Sequence, residues 1–167
     1  IRPQSFRMDT LGVVLRSIPS PAWGASIDLR DAYLHIPVRP SHRKFLRFQY
    51  RDTVYEFTAL LFGLSTAPRV FTKIVKTIGA YLRRLGVMIF MYLDDWIVIT
   101  PSRDQTAKAL GLAWQLAVHL RFIVNVDKSR PVPSQSPTFL GALLDLRRGL
   151  AYPATERVLN LRQCVTL

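Results

Sequence analysis

The chain has 167 residues, 49% of them apolar and 11% aromatic, and carries 23 Lys and Arg against 11 Asp and Glu, a formal charge of +12. That composition supports a packed core in one domain, or in a piece of a larger one, and excludes a disordered basic tail. The longest uncharged stretch, Pro131–Leu144, is too short and too rich in proline to cross a bilayer, and the single Cys164 excludes both a disulfide framework and a cysteine-based zinc site.

In chain order, the start Ile1-Arg2-Pro3-Gln4 lacks both a signal-peptide layout and an initiator Met, so an intracellular, excised piece is expected. After the break Pro19-Ser20-Pro21, the apolar run Ala25–Ile27 ends at Asp28. Between Lys44 and Phe57, aromatic-rich runs flank Arg51-Asp52-Thr53, which predicts a β-hairpin. Ser65-Thr66-Ala67-Pro68 supplies a capping residue and a first-turn proline. The helix it predicts has an apolar stripe from Ala67 to Leu85 and stops at Gly86.

Two short apolar runs follow, Val87–Met91 and Trp96–Ile99, separated by Tyr92-Leu93-Asp94-Asp95; they predict two buried strands and a tight turn. Ser102 and Gln105 match a capping box and open a second helix, carrying Leu110, Trp114 and Ala117. A strand is expected at Thr138–Leu144 and another between Gly149 and Pro153, with a helix over residues 154–163. The order β, ββ, α, ββ, α, ββ predicts an α+β fold: an antiparallel sheet with helices packed on one face.

Asp94 and Asp95 are the most informative residues. Two carboxylates between apolar strands need a partner, and no basic residue lies within several positions of them. Magnesium would satisfy them, since it is usually held by one or two carboxylates together with substrate phosphates. Asp28 has the same setting, and Asp28 with Asp94 could hold two ions if their strands are neighbours. Taken by themselves, paired Asp residues fit a solvated turn better than a metal site.

The combination decides. Tyr92-Leu93-Asp94-Asp95 between apolar strands resembles the Tyr-x-Asp-Asp box of reverse transcriptases. Asp28–Val38 (DLRDAYLHIPV) resembles that family's first catalytic motif, and Phe57–Phe71, with FGLSTAPRVFTK from Phe62, its second. The resemblance covers about Phe6 to Tyr152 and is nearest the tyrosine-recombinase retroelements, then the gypsy-type LTR elements. It implies a polymerase palm over residues 1–167 with part of the fingers, an insertion at about 34–64. By the same resemblance the upstream fingers hairpin, the thumb and RNase H are absent from this chain and belong to a larger polyprotein.

The resemblance also implies roles. Asp28 and Asp94 would ligate two Mg2+ ions, for which Mn2+ could substitute, with Asp95 supporting and the Leu29 carbonyl within reach. Tyr33 would lie under the incoming sugar and select deoxynucleotides, and Phe62-Gly63 would pack against the nucleotide (dNTP) and template. Lys128 falls where the family has a lysine near the pyrophosphate, and Phe139-Leu140-Gly141 matches the primer-grip hairpin. Leu61 departs from the proline often found before the second motif's aromatic residue.

Arg69, Lys73, Lys76 and Arg83 share one helix face, opposite the apolar stripe. They fit a solvated surface or a track for an RNA or DNA template and its primer. Arg43, Lys44, Arg47 and Arg51 interleave with Phe45, Phe48 and Tyr50, a pattern suited to backbone contact and base stacking. His35, His42 and His119 have no metal-ligand spacing. The expected function is RNA-directed DNA synthesis by two-metal catalysis. The competing expectation is a truncated or decayed polymerase that only binds nucleic acid.

Overall fold

The computed structural model describes residues 8–154. Alternation of side chains along extended runs gives one central sheet two buried faces. Its strands are β1 (Trp23–Asp28), β4 (Ile89–Tyr92), β5 (Asp95–Thr100) and β6 (Arg130–Ser134), all antiparallel, in the order β4-β5-β1-β6.

On one face Ala25, Ile27, Ile89, Met91, Trp96 and Val98 pack beneath two helices, α3 (Ala67–Arg84) and α4 (Arg103–His119). Phe71, Val75, Ile78 and Leu82 of α3 recur at helical spacing and enter this core. Burying side chains of this size contributes about 1.5–3 kcal/mol each. Gly79 lets the helix approach β4: a Cβ there would meet Met91 Sδ at 2.8 Å. Gly86, at φ 81°, ends α3 where expected. At the start of α4, Ser102 Oγ accepts from the Gln105 amide at 3.3 Å, so this cap forms. Thr66 precedes α3 without a side-chain cap bond, and Pro68 alone marks that helix start.

The opposite face is covered too, which the sequence reading did not foresee. Phe90, Ile97 and Ile99 meet Val14 of a short helix, α1 (Leu11–Ser17). They also meet Phe139 and Leu144 from a three-stranded sheet of β7 (Thr138–Phe139), β8 (Ala142–Asp145) and β9 (Leu150–Pro153). The expected single strand at Thr138–Leu144 is instead a hairpin, because the chain reverses through Leu140 and Gly141, both at positive φ. β6 was not expected either. Its Pro131 and Pro133 are tolerated because it is the outer strand. The helix expected over residues 154–163 lies almost wholly outside the described residues.

Between Val38 and Thr58 the chain leaves the body and returns. The neck is closed by the Val38 amide donating to Thr58 O at 2.8 Å and the Leu60 amide donating to Ile36 O at 2.9 Å. The excursion holds a single-turn helix, α2 (Pro40–Arg43), and the expected hairpin of β2 (Arg47–Tyr50) and β3 (Thr53–Glu56). Every residue of both hairpin strands is exposed, and Phe48 stacks on Tyr55 at 5.4 Å.

Candidate active site

The acids converge where the two central strands end. Asp28 closes β1, Asp95 opens β5, and the two are register partners across the ladder. Asp94 belongs to the two-residue turn between β4 and β5, where Leu93 takes φ 52°. That conformation is unusual for leucine and is held by two bonds. Trp96 Nε1 donates to Leu93 O at 2.8 Å, and the Leu29 amide donates to Asp94 O at 2.9 Å. The Leu29 backbone thus lies alongside the acidic turn, while its side chain is buried.

Like charges facing one another across an antiparallel pair repel, and half-burial sharpens the cost. Asp95 is pushed up to about 6, first by burial and further by the charges of Asp28 and Asp94, against an opposing bond from the Leu140 amide at 3.0 Å. Asp28 is also raised, by burial and then by Asp94, while Lys128 and Asn125 pull the other way. Burial and the Asp94 charge likewise raise the Tyr33 hydroxyl.

Asp28 and Asp95 open onto a cleft of about 540 Å³, lined also by Ser26, Lys128, Phe139, Leu140 and Gly141. Lys128, 100 residues after Asp28 in sequence, therefore stands in the same cleft. A second group adjoins it. Tyr33 is 8% exposed, with its ring 4.9 Å from Phe62 and edge-on to Phe71 at 5.7 Å. Phe62 is 62% exposed, and Gly63 beside it takes φ 87° with open space around it. The structure thus brings together the residues of all three sequence motifs.

Phe139 is 1% exposed and packs into the core beneath the sheet while it also lines the cleft, next to the half-exposed Leu140 and Gly141. One expectation needs correction. Arg83 does not join a free basic face. Its guanidinium pairs with Asp9 at 2.9 Å and donates to Ile89 O at 2.7 Å, because Asp9 and the outer strand β4 lie against that end of α3. Arg69, Lys73 and Lys76 are exposed on α3, away from the cleft lining. Sequence reading missed Asn125 and Ser129, whose bonds to Asp28 span about a hundred residues of sequence.

The donor set suits a hard divalent cation. Among the described residues no three His, Cys, Asp or Glu side chains form a ready-made cage. Facing carboxylates with an open cleft beside them match an ion that takes part of its shell from water and substrate oxygens. In chelator, the raised Asp95 predicts a definite pH dependence. Its folded-state value lies above the ordinary 3.8, so its contribution is fully present below pH 4 and lost as pH rises through about 6. The loss is roughly 3 kcal/mol at 1.36 kcal/mol per pKa unit. Thermal unfolding in EDTA should therefore show wild type losing stability relative to Asp95→Asn between pH 4 and 7; parallel curves would refute this account of Asp95.

A sheet with acids on the facing ends of two central strands, two helices behind it and a hairpin turn across the cleft is the palm of a nucleic-acid polymerase. The same fold occurs in foamy viral protease-reverse transcriptase solved with RNA/DNA hybrid, at TM-score 0.80 and 20% identity, over 94% of this chain and 20% of that one. It occurs again in the foamy viral protein solved with dsDNA, at TM-score 0.80 and 19% identity, over 97% and 32%. At such identities the likeness speaks for the fold.

The family profile described as reverse transcriptase (RNA-dependent DNA polymerase) matches residues 1–144, and the chain belongs to that family. Among its relatives, Protein P of duck hepatitis B virus (isolate Shanghai/DHBVQCA34) is 26% identical over 81% of this chain. The retrovirus-related Pol polyprotein from transposon opus of Drosophila melanogaster is 26% identical over 95%. The chain spans 17% and 16% of these two relatives' lengths. Among the described residues no helix is long and apolar enough to cross a membrane.

Proposed function

We propose that this chain is the catalytic palm of an RNA-directed DNA polymerase, adding deoxynucleotides to a primer 3′-hydroxyl on an RNA or DNA template. The observation that carries the proposal is the facing of Asp28 and Asp95 across β1 and β5 with Asp94 in the adjoining turn. Asp28 and Asp94 would hold two Mg2+ ions, or Mn2+ in their place, with Asp95 behind them and the Leu29 carbonyl at hand. Bound there, the ions would activate the 3′-hydroxyl and neutralise charge on the leaving pyrophosphate.

The chain's own residues would do the rest. Tyr33, backed by Phe62 and Phe71, presents a rigid surface to the sugar of the incoming dNTP. Lys128, which lines the same cleft as Asp28, would serve as general acid toward the pyrophosphate. Leu140 and Gly141 face the primer end, while Arg69, Lys73 and Lys76 contact phosphates. We read the source as a retrotransposon, of the tyrosine-recombinase kind before the gypsy-type LTR kind, on the sequence DLRDAYLHIPV. The setting is intracellular, and the remaining fingers, the thumb and RNase H belong to the larger polyprotein. The foamy viral structures with RNA/DNA hybrid and dsDNA support the duplex as partner.

The test is primer extension on an RNA template by the polyprotein segment that includes this chain. Extension should stop in EDTA and return with millimolar Mg2+. Duplex binding without extension in either condition would favour the reading as a non-catalytic binding module.

A further inference from the structure

Asp28 is bound on both sides of its backbone by one short loop. Its carbonyl accepts from the Asn125 amide at 2.8 Å, and its own amide donates to Ser129 Oγ at 3.0 Å. Ser129 Oγ in turn donates to Asn125 O at 2.7 Å, and the Ser129 amide donates to the same oxygen at 2.9 Å. The serine hydroxyl thus fills one donor and one acceptor role at once, and the residue is 3% exposed.

The Asn125 carboxamide completes the clamp. Its Oδ1 accepts from the Lys128 amide at 3.4 Å, which turns the Nδ2 hydrogens away from that contact. One five-residue stretch, Asn125 to Ser129, therefore both orients Asp28 and delivers Lys128 beside it.

We infer that Asn125 and Ser129 are positioning residues that fix the main chain at Asp28 and couple its placement to that of Lys128. The inference rests on the proposed polymerase reading for its catalytic consequence, though not for the clamp itself. Such supporting bonds commonly alter metal affinity or activity by 10–100-fold when removed. A purely structural clamp would instead lower the unfolding temperature and leave the chemistry unchanged.

The experiment compares wild type, Asn125→Ala, Ser129→Ala and Ser129→Thr in the polyprotein segment that carries the full polymerase. It measures kcat and KM for dNTP, primer–template Kd, Mn2+ affinity by electron paramagnetic resonance, and hydrogen exchange at the Asp28 amide. Asn125→Ala and Ser129→Ala should lower kcat and weaken Mn2+ binding on the order of 10-fold, with duplex Kd unchanged. Ser129→Ala should also speed exchange of the Asp28 amide, and Ser129→Thr, which keeps the hydroxyl, should restore wild-type values. Unchanged kcat and Mn2+ affinity in both alanine variants, with only a lower unfolding temperature, would overturn the inference while the polymerase reading stood. If wild type itself fails to extend primers, but the alanine variants still lose Mn2+ affinity and amide protection, the positioning role survives and the polymerase reading fails.

Discussion

Asp94→Ala is expected to reduce primer extension on the order of 10³-fold or more, and to do so in a protein that folds normally. Metal-assisted stabilisation of developing charge contributes several kcal/mol, and about 4 kcal/mol already corresponds to that factor. Folding should survive because the turn is held by main chain. The Asp94 carbonyl, which accepts from Leu29, is untouched by the change, as is the bond from Trp96 to Leu93. Removing the charge also relieves repulsion on Asp28 and Asp95. The metal-free variant should accordingly unfold at a temperature equal to or above that of wild type, a sign opposite to its effect on activity. Circular dichroism melts in EDTA and extension assays in Mg2+ check the two halves. Normal extension by Asp94→Ala would remove the residue from the metal site.

The second large effect concerns sugar choice. In the proposed role Tyr33 would resist an added 2′-hydroxyl, because its buried ring packs edge-on against the fully buried Phe71 and packed interiors compress little. Forcing an extra atom against such a wall costs about 1–3 kcal/mol. Tyr33→Ala should thus raise ribonucleotide incorporation relative to deoxynucleotide by up to about 10²-fold. The same change opens a cavity beside Phe71 and should cost about 3 kcal/mol of stability. Tyr33→Phe separates the two consequences: it keeps the ring, so discrimination should persist while the hydroxyl is gone. Single-nucleotide kinetics with paired ATP and dATP measure the ratio. An unchanged ratio in Tyr33→Ala would end the gate role.

What could be read from sequence follows from the range of the forces involved. The helix stripe of α3 and the apolar runs of β4 and β5 are written in local periodicity, and all three elements formed where expected. The acids were visible because charge between apolar strands is costly wherever it occurs. Their mutual placement was not, since the pairing of Asp28 with Asp95 is a matter of register between strands far apart in sequence. The motif resemblance, rather than any pattern of spacing, suggested that they meet. Strand β6 was hidden by its prolines, which propensity counts against a strand but an outer position permits. Phe139 illustrates a different limit. An aromatic residue next to a turn looks the same in sequence whether it faces a ligand or the core, and here Phe139 packs in the core while also lining the cleft. Asn125 and Ser129 carry no local signal, because what they bind is supplied by another strand.

The two outer strands have a further consequence. On β4 the outward Met91 amide donates to Asp9 at 3.0 Å, and the outward Ile89 carbonyl accepts from Arg83. On β6, Pro131 and Pro133 have no amide hydrogen to offer. One border is thus occupied by side chains that mimic a neighbouring strand, and the other is short of donors. A sheet finished in this way resists adding strands from another chain.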